Sequence, residues 1–153
     1  MMRTPITHPE LLAALARCGH GTKILIADGN YPHVTGVGPH TTRIALNVAP
    51  GLLTADQVLE LLIATVPVEA AEYMENADGA ASPAVEGYGQ ALGPDIALSG
   101  LERFTFYDRA RENDVAVVVA TGEQRQYANL MLTVGVIPET QTKVSTTGAG
   151  RAA

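Results

Sequence analysis

Apolar residues recur along the chain at two periods, and each period predicts its own kind of element. In THPELLAALARCG, residues 7–19, Leu11, Leu12 and Leu15 share one helical face. Thr7 and Glu10 stand at capping-box spacing, Pro9 suits a first turn and Gly19 a stop, so the stretch predicts a helix. TADQVLELLIATV, residues 54–66, repeats that plan with Thr54 and Gln57, and Pro67 closes it. SPAVEGYGQAL offers Ser82 as an N-cap and Pro83 at the first turn, although Gly87 and Gly89 weaken a helix there. ERFTFYDRARE, residues 102–112, predicts a helix with an exposed charged face.

The remaining apolar runs are short and β-rich. TKILIA (22–27) and VAVVVATG (115–122) have the continuous apolar character of strands covered on both faces. RIALNV (43–48), VEAAEYM (68–74) and YANLMLTVGV (127–136) predict three more. Asp28 to Thr42, dense in Gly, Pro and Asn, predicts a loop. Strands interleaved with amphipathic helices predict an α/β fold: one three-layer α/β/α domain with a mixed sheet over residues 1–138. Residues 139–153, small, polar and aperiodic, predict a mobile tail. No internal repeat is present.

Composition narrows the function classes. The 153 residues suffice for one domain with a substantial core. The formal net charge is −6 and no basic patch is visible, which argues against nucleic acid as a partner. Only 17% of residues are charged, fewer than the usual quarter, as expected of a surface partly covered by copies of the same chain. A single cysteine, Cys18, excludes an intrachain disulfide and a cysteine-built zinc site. MMRTPITHPE lacks an apolar signal core and no run is long enough to span a bilayer, so the expected location is the cytoplasm, with no membrane partner.

Two stretches carry candidate chemistry. In GHG, residues 19–21, His20 falls between a helix end and a strand start. An imidazole titrates closer to neutrality than other side chains, and flanking glycines permit close approach. The plainer alternative makes His20 a polar linker residue. Asp28 ends an apolar strand, where open α/β sheets present functional groups; it equally suits an Asx turn opening the Asp28–Gly29–Asn30 loop. Further on, Tyr127 and Asn129 stand two apart, a spacing that aims both at one face of an extended segment. A phenol and an amide suit a polyhydroxylated ligand, against a half-buried tyrosine and a turn asparagine as the alternative. Arg103 could pair with Asp28, grip a hydroxyl, or simply lie at the surface.

Taken together, GHGTKILIADGNYP, RFTFYDRA and VVATGEQRQYANLMLTVGV resemble the bacterial D-ribose pyranase and L-fucose mutarotase family. RFTFYDRA looks more like the fucose branch, because the ribose branch tends to carry histidine at the Arg103 position. The resemblance implies a monosaccharide substrate, proton transfer by His20, and sugar contacts from Asp28, Arg103, Tyr127 and Asn129. It implies no cofactor and no metal, and self-assembly into a ring of the pentamer or decamer type with the site near a subunit contact. Two other readings stay open: a sugar-binding or sensing module without catalysis, and a metal-dependent phosphohydrolase using Asp28 with His33 or His40.

Overall fold

The computed structural model describes residues 2–139. The element order is α1 (Pro9–Leu15), β1 (Lys23–Ala27), β2 (Thr42–Ala45), α2 (Ala55–Ile63), β3 (Val68–Met74), α3 (Ala84–Leu92), β4 (Ala97–Leu101), α4 (Arg103–Ala110), β5 (Val115–Ala120) and β6 (Leu130–Val134). The predicted tail lies, apart from Glu139, outside the described residues.

The six strands form one mixed sheet in the order β2-β5-β1-β6-β3-β4. β1 runs parallel to β5, β5 to β2, and β3 to β4, whereas β6 runs antiparallel to both of its neighbours. The sheet is covered on both sides, which is why β1 and β5 are apolar almost throughout. Alternate residues of β1 divide between the two faces: Ile24 and Ile26 join the core under α1, α2 and α3, and Leu25 and Ala27 join the core under α4 and the Tyr31–Val37 loop. The architecture is therefore the expected three layers, with three helices on one face and one on the other. Leu59 and Leu62 of α2 are fully buried, and each such side chain contributes about 1.5–3 kcal/mol relative to exposure.

The helix starts differ instructively from the sequence pattern. α2 has its full capping box, with Gln57 N–H donating to Thr54 Oγ1 and Thr54 N–H to Gln57 Oε1. α1 does not: Pro9 takes the first helical position, so His8 becomes the cap and its Nδ1 accepts from Leu11 N–H at 3.2 Å. At α3 Pro83 takes the cap position and makes no side-chain cap bond, while the Ser82 hydroxyl accepts a long bond from Ala84 N–H at 3.5 Å and donates across to Gln126 C=O at 2.9 Å. α4 is capped by Glu102, whose Oε2 accepts from Phe104 N–H and Thr105 N–H. β4 has no counterpart in the sequence reading. It is a five-residue edge strand containing Gly100, with neither alternation nor a β-branched residue to mark it.

Among the described residues no helix is long and apolar enough to cross a membrane.

Candidate functional site

Because β1 and β6 are antiparallel, the end of β1 meets the start of β6, with Ile26 opposite Leu130. Just beyond that pair, Asp28 N–H reaches the Asn129 side chain. Asp28 Oδ1 accepts from Asn30 N–H and Tyr31 N–H, each at 2.9 Å, which is the Asx turn anticipated for this loop. Its Oδ2 accepts from Ala128 N–H at 3.2 Å and Asn129 Nδ2 at 3.1 Å. Four donors thus fill the acceptor directions of one carboxylate, and no ion pair to Arg103 forms. Burial pushes the Asp28 carboxyl above the usual aspartate range, against the pull of those four bonds.

Asn129 is spent in the same way. Its Oδ1 accepts from Asp28 N–H at 2.8 Å, and its Nδ2 donates to Asp28 and, at 3.5 Å, to Met74 Sδ. Both residues are buried. Their polar groups form the floor of a recess rather than its reaching arms.

That recess has a volume of 290 Å³ and brings together four of the five sequence-predicted residues: Asp28, Arg103, Tyr127 and Asn129. Tyr127 and Asn129 do not arrive there by the two-residue period of a strand. Tyr127 has φ 58°, in the left-handed region, and β6 begins only at Leu130. Arg103 comes from the first turn of α4, with its guanidinium 4.5 Å from the Phe104 ring. A cation there opposes the helix dipole at a cost of roughly 0.3–1 kcal/mol, offset by the Glu102 cap.

The recess also recruits Tyr107, Tyr31, Met74 and Gln126, which sequence reasoning had not singled out. Tyr107 was readable, since it lies four residues beyond Arg103 and so on the same helical face. It stacks on Tyr31, with centroids 5.4 Å apart, while the Tyr31 hydroxyl donates to Gly36 C=O at 2.8 Å. The cavity thus combines the Arg103 guanidinium, the phenols of Tyr107 and Tyr127 and the amides of Asn30 and Gln126 with an apolar wall of Met74 and aromatic rings. That suits an uncharged polyhydroxylated molecule better than an anion or an apolar ligand.

His20 is elsewhere. It lies beyond the opposite end of β1, separated from Asp28 by the strand's length of roughly 17 Å at about 3.3 Å per residue. Gly21, with φ 79°, makes the turn that Gly19 N–H and Thr22 Oγ1 close at 3.1 Å. The exposed ring points Nε2 at Glu69 Oε2, 3.0 Å away on β3. Around it runs a 480 Å³ groove with apolar walls that include Leu15, Val66, Pro67, Val136 and Ile137. Glu69 was not legible as its partner, because nothing local links positions 20 and 69. His33 is half-buried and His40 exposed, and neither lines the 290 Å³ recess. Among the described residues no three His, Cys, Asp or Glu side chains form a metal-binding group, so the phosphohydrolase reading finds no ligand set.

The family model described as the RbsD / FucU transport protein family matches residues 1–137. The chain belongs to this family. It is 41% identical over 140 residues to the fucose mutarotase of Homo sapiens, covering 84% of this chain and 88% of that one. It is 36% identical over 136 residues to the D-ribose pyranase of Paracidovorax citrulli, covering 89% and 98% respectively. The crystal structure of the fucose mutarotase from Streptococcus pneumoniae in complex with L-fucose superposes with a TM-score of 0.75 at 26% identity, covering 90% of this chain and all of that one. This RbsD / FucU chain is accordingly an isomerase of the sugar mutarotase kind. The resemblance seen in the three sequence motifs thus extends over nearly the whole described fold.

Proposed function

We propose that the protein interconverts the anomers of a free aldose, L-fucose or a related sugar, by general acid–base ring opening and closure with His20. In this reading the pocket of one copy is completed by His20 of a neighbouring copy in a head-to-tail ring. The observation that carries it is the division of labour within one protomer. The recess has hydroxyl-binding groups, while the exposed imidazole lies at the far end of β1 beside apolar residues that a second copy would cover. A heterologous contact of that kind closes into a ring when its rotation permits.

The chemistry needs one proton removed from the anomeric hydroxyl and one delivered to the ring oxygen. The C1–O5 bond then breaks to give the open-chain carbonyl, the C1–C2 bond turns, and the ring hydroxyl adds back to the other carbonyl face with both protons returned. Glu69 against Nε2 stabilises a donor N–H there and leaves Nδ1 as the nitrogen that faces the sugar. Arg103 and Tyr127 hold hydroxyls, and Tyr107 stands where it can relay the second proton. Asp28 and Asn129 form the floor that fixes these walls. Positioned acid–base groups contribute about 10²–10⁴-fold, which suffices for a reaction that already proceeds in water.

Saturation-transfer NMR on L-fucose, D-ribose and galactose in parallel tests the proposal. Exchange between anomers should accelerate for at least one sugar, most for fucose, and His20→Ala should abolish the acceleration without unfolding the protein. Binding without acceleration would identify a sugar-binding module instead, and no effect on any aldose would overturn the reading.

A further inference from the structure

Tyr127 is one of two non-glycine residues among those described with positive φ, and it lines the pocket. An L-residue stays in that region only where its surroundings hold it. Here both neighbours are held. Gln126 C=O accepts from Ser82 Oγ at 2.9 Å, and Ala128 C=O accepts from Tyr88 Oη at 2.8 Å. Ala128 N–H is fixed in turn on Asp28. Ser82 and Tyr88 are both buried, and neither lines the recess. Ser82 gives its hydroxyl proton to this loop at 2.9 Å while its oxygen accepts only a 3.5 Å bond from Ala84 N–H at the start of α3, and Tyr88 reaches the loop from the second turn of that helix.

We infer that Ser82 and Tyr88 are positioning residues that hold Tyr127 in its left-handed conformation and so set where its phenol stands in the pocket. The inference rests on the proposed sugar contact of Tyr127. Its physical basis is leverage. Returning φ from 58° to an ordinary negative value swings the Cα–Cβ bond, and with it a hydroxyl at the end of a long rigid ring. Acid–base and hydroxyl contacts operate over about 2.6–3.2 Å, and a displacement of about 1 Å costs on the order of 10²-fold. A carbonyl partner alone would explain Tyr88. It would not explain two struts, Ser82 just before α3 and Tyr88 within it, on either side of the one left-handed pocket residue.

Tyr88→Phe keeps the buried ring and removes only the strut. Its kcat/KM for anomer exchange should fall about tenfold, and Ser82→Ala should act in the same direction. Val58→Ala, which cuts the same core without touching the loop, should leave kcat/KM within about twofold and serves as the stability control. In a Tyr127→Phe background, Tyr88→Phe should cost less than about twofold more, because the group it positions is already gone. Independent, multiplicative losses in that double variant would overturn the inference. Amide hydrogen exchange at Ala128 reads the struts without any turnover, and it should accelerate in both strut variants. Unchanged protection there would overturn the inference even if the enzyme is active. A wild-type protein that leaves every sugar at its spontaneous rate, but loses Ala128 protection in the variants, would overturn the proposed function alone.

Discussion

Asp28 and Asn129, 101 positions apart, are bonded to each other twice. The Asp28 backbone N–H donates to Asn129 Oδ1 at 2.8 Å, and Asn129 Nδ2 donates back to Asp28 Oδ2 at 3.1 Å. The pair joins the end of β1 to the approach to β6 and fixes both walls of the recess. Removing one partner leaves the other buried with unmet hydrogen bonds. Asn129→Ala should therefore lose about 2–4 kcal/mol of stability, measured by urea unfolding, together with sugar affinity. An unchanged midpoint would show that the pair is dispensable.

The separation of His20 from the recess makes subunit mixing informative. His20→Ala and Arg103→Ala should each be inactive alone. When the two are mixed and allowed to exchange subunits, some junctions regain an intact His20 facing an intact Arg103. Exchange NMR should then recover a measurable fraction of wild-type rate, up to roughly a quarter if random pairing governs. No recovery after verified subunit exchange would place both residues in the service of the same protomer.

Glu69→Gln should retain the fold and lose rate. The amide still offers His20 a hydrogen bond but no negative charge to stabilise the imidazolium, and an exposed pair of this kind contributes little to folding. A fall in kcat of about tenfold, with thermal stability unchanged, is the expected result.

Glu123 sets an acid limit on stability. Burial alone would raise its pKa, but bonds from the Arg125 side chain and from Arg125 N–H and Ala55 N–H outweigh that and bring it from 4.5 to about 2. A carboxyl depressed in the folded state contributes stability that is present above pH 4.5 and is lost as pH falls towards 2. The contribution is on the order of 2–3 kcal/mol. Urea unfolding at pH 7 and pH 3 should show that loss in the wild type, and Glu123→Gln should flatten it.

Gly122→Ala should be severely destabilising, by roughly 3 kcal/mol or more. A Cβ at this position would collide with the backbone carbonyls of Leu52 and Ala49, which belong to a loop already bonded to Gly122 through its N–H and C=O. Loss of the folded state by circular dichroism at 37 °C, or a large fall in melting temperature, checks this.

The strong strands and α2 were legible because their determinants are local. β1 and β5 are unbroken apolar runs, and Thr54 and Gln57 cap one another across three residues. The His8 cap and the unforeseen β4 were not, since Pro9 decides the first by occupying the first helical position and tertiary pairing to β3 decides the second. The site divides in the same way. Asp28 and its local Asx turn were readable at a strand end, but filling of Oδ2 by residues some 100 positions away depends on strand pairing. Tyr127 and Asn129 reach the same recess by a left-handed backbone turn, not by the strand alternation that first suggested it. Tyr107 was missed although helical spacing from Arg103 places it on the same face, whereas Glu69 meets His20 only because β3 lies across the sheet from the turn before β1.

The sheet order has a temporal consequence. β6 is the last strand among the described residues to leave the ribosome, yet it sits between β1 and β3 and is the strand through which the β2-β5-β1 half hydrogen-bonds to the β3-β4 half. Until residues 130–134 emerge, the facing edges of β1 and β3 wait unpaired, and a chain cut short before that point presents both as templates for pairing with other chains.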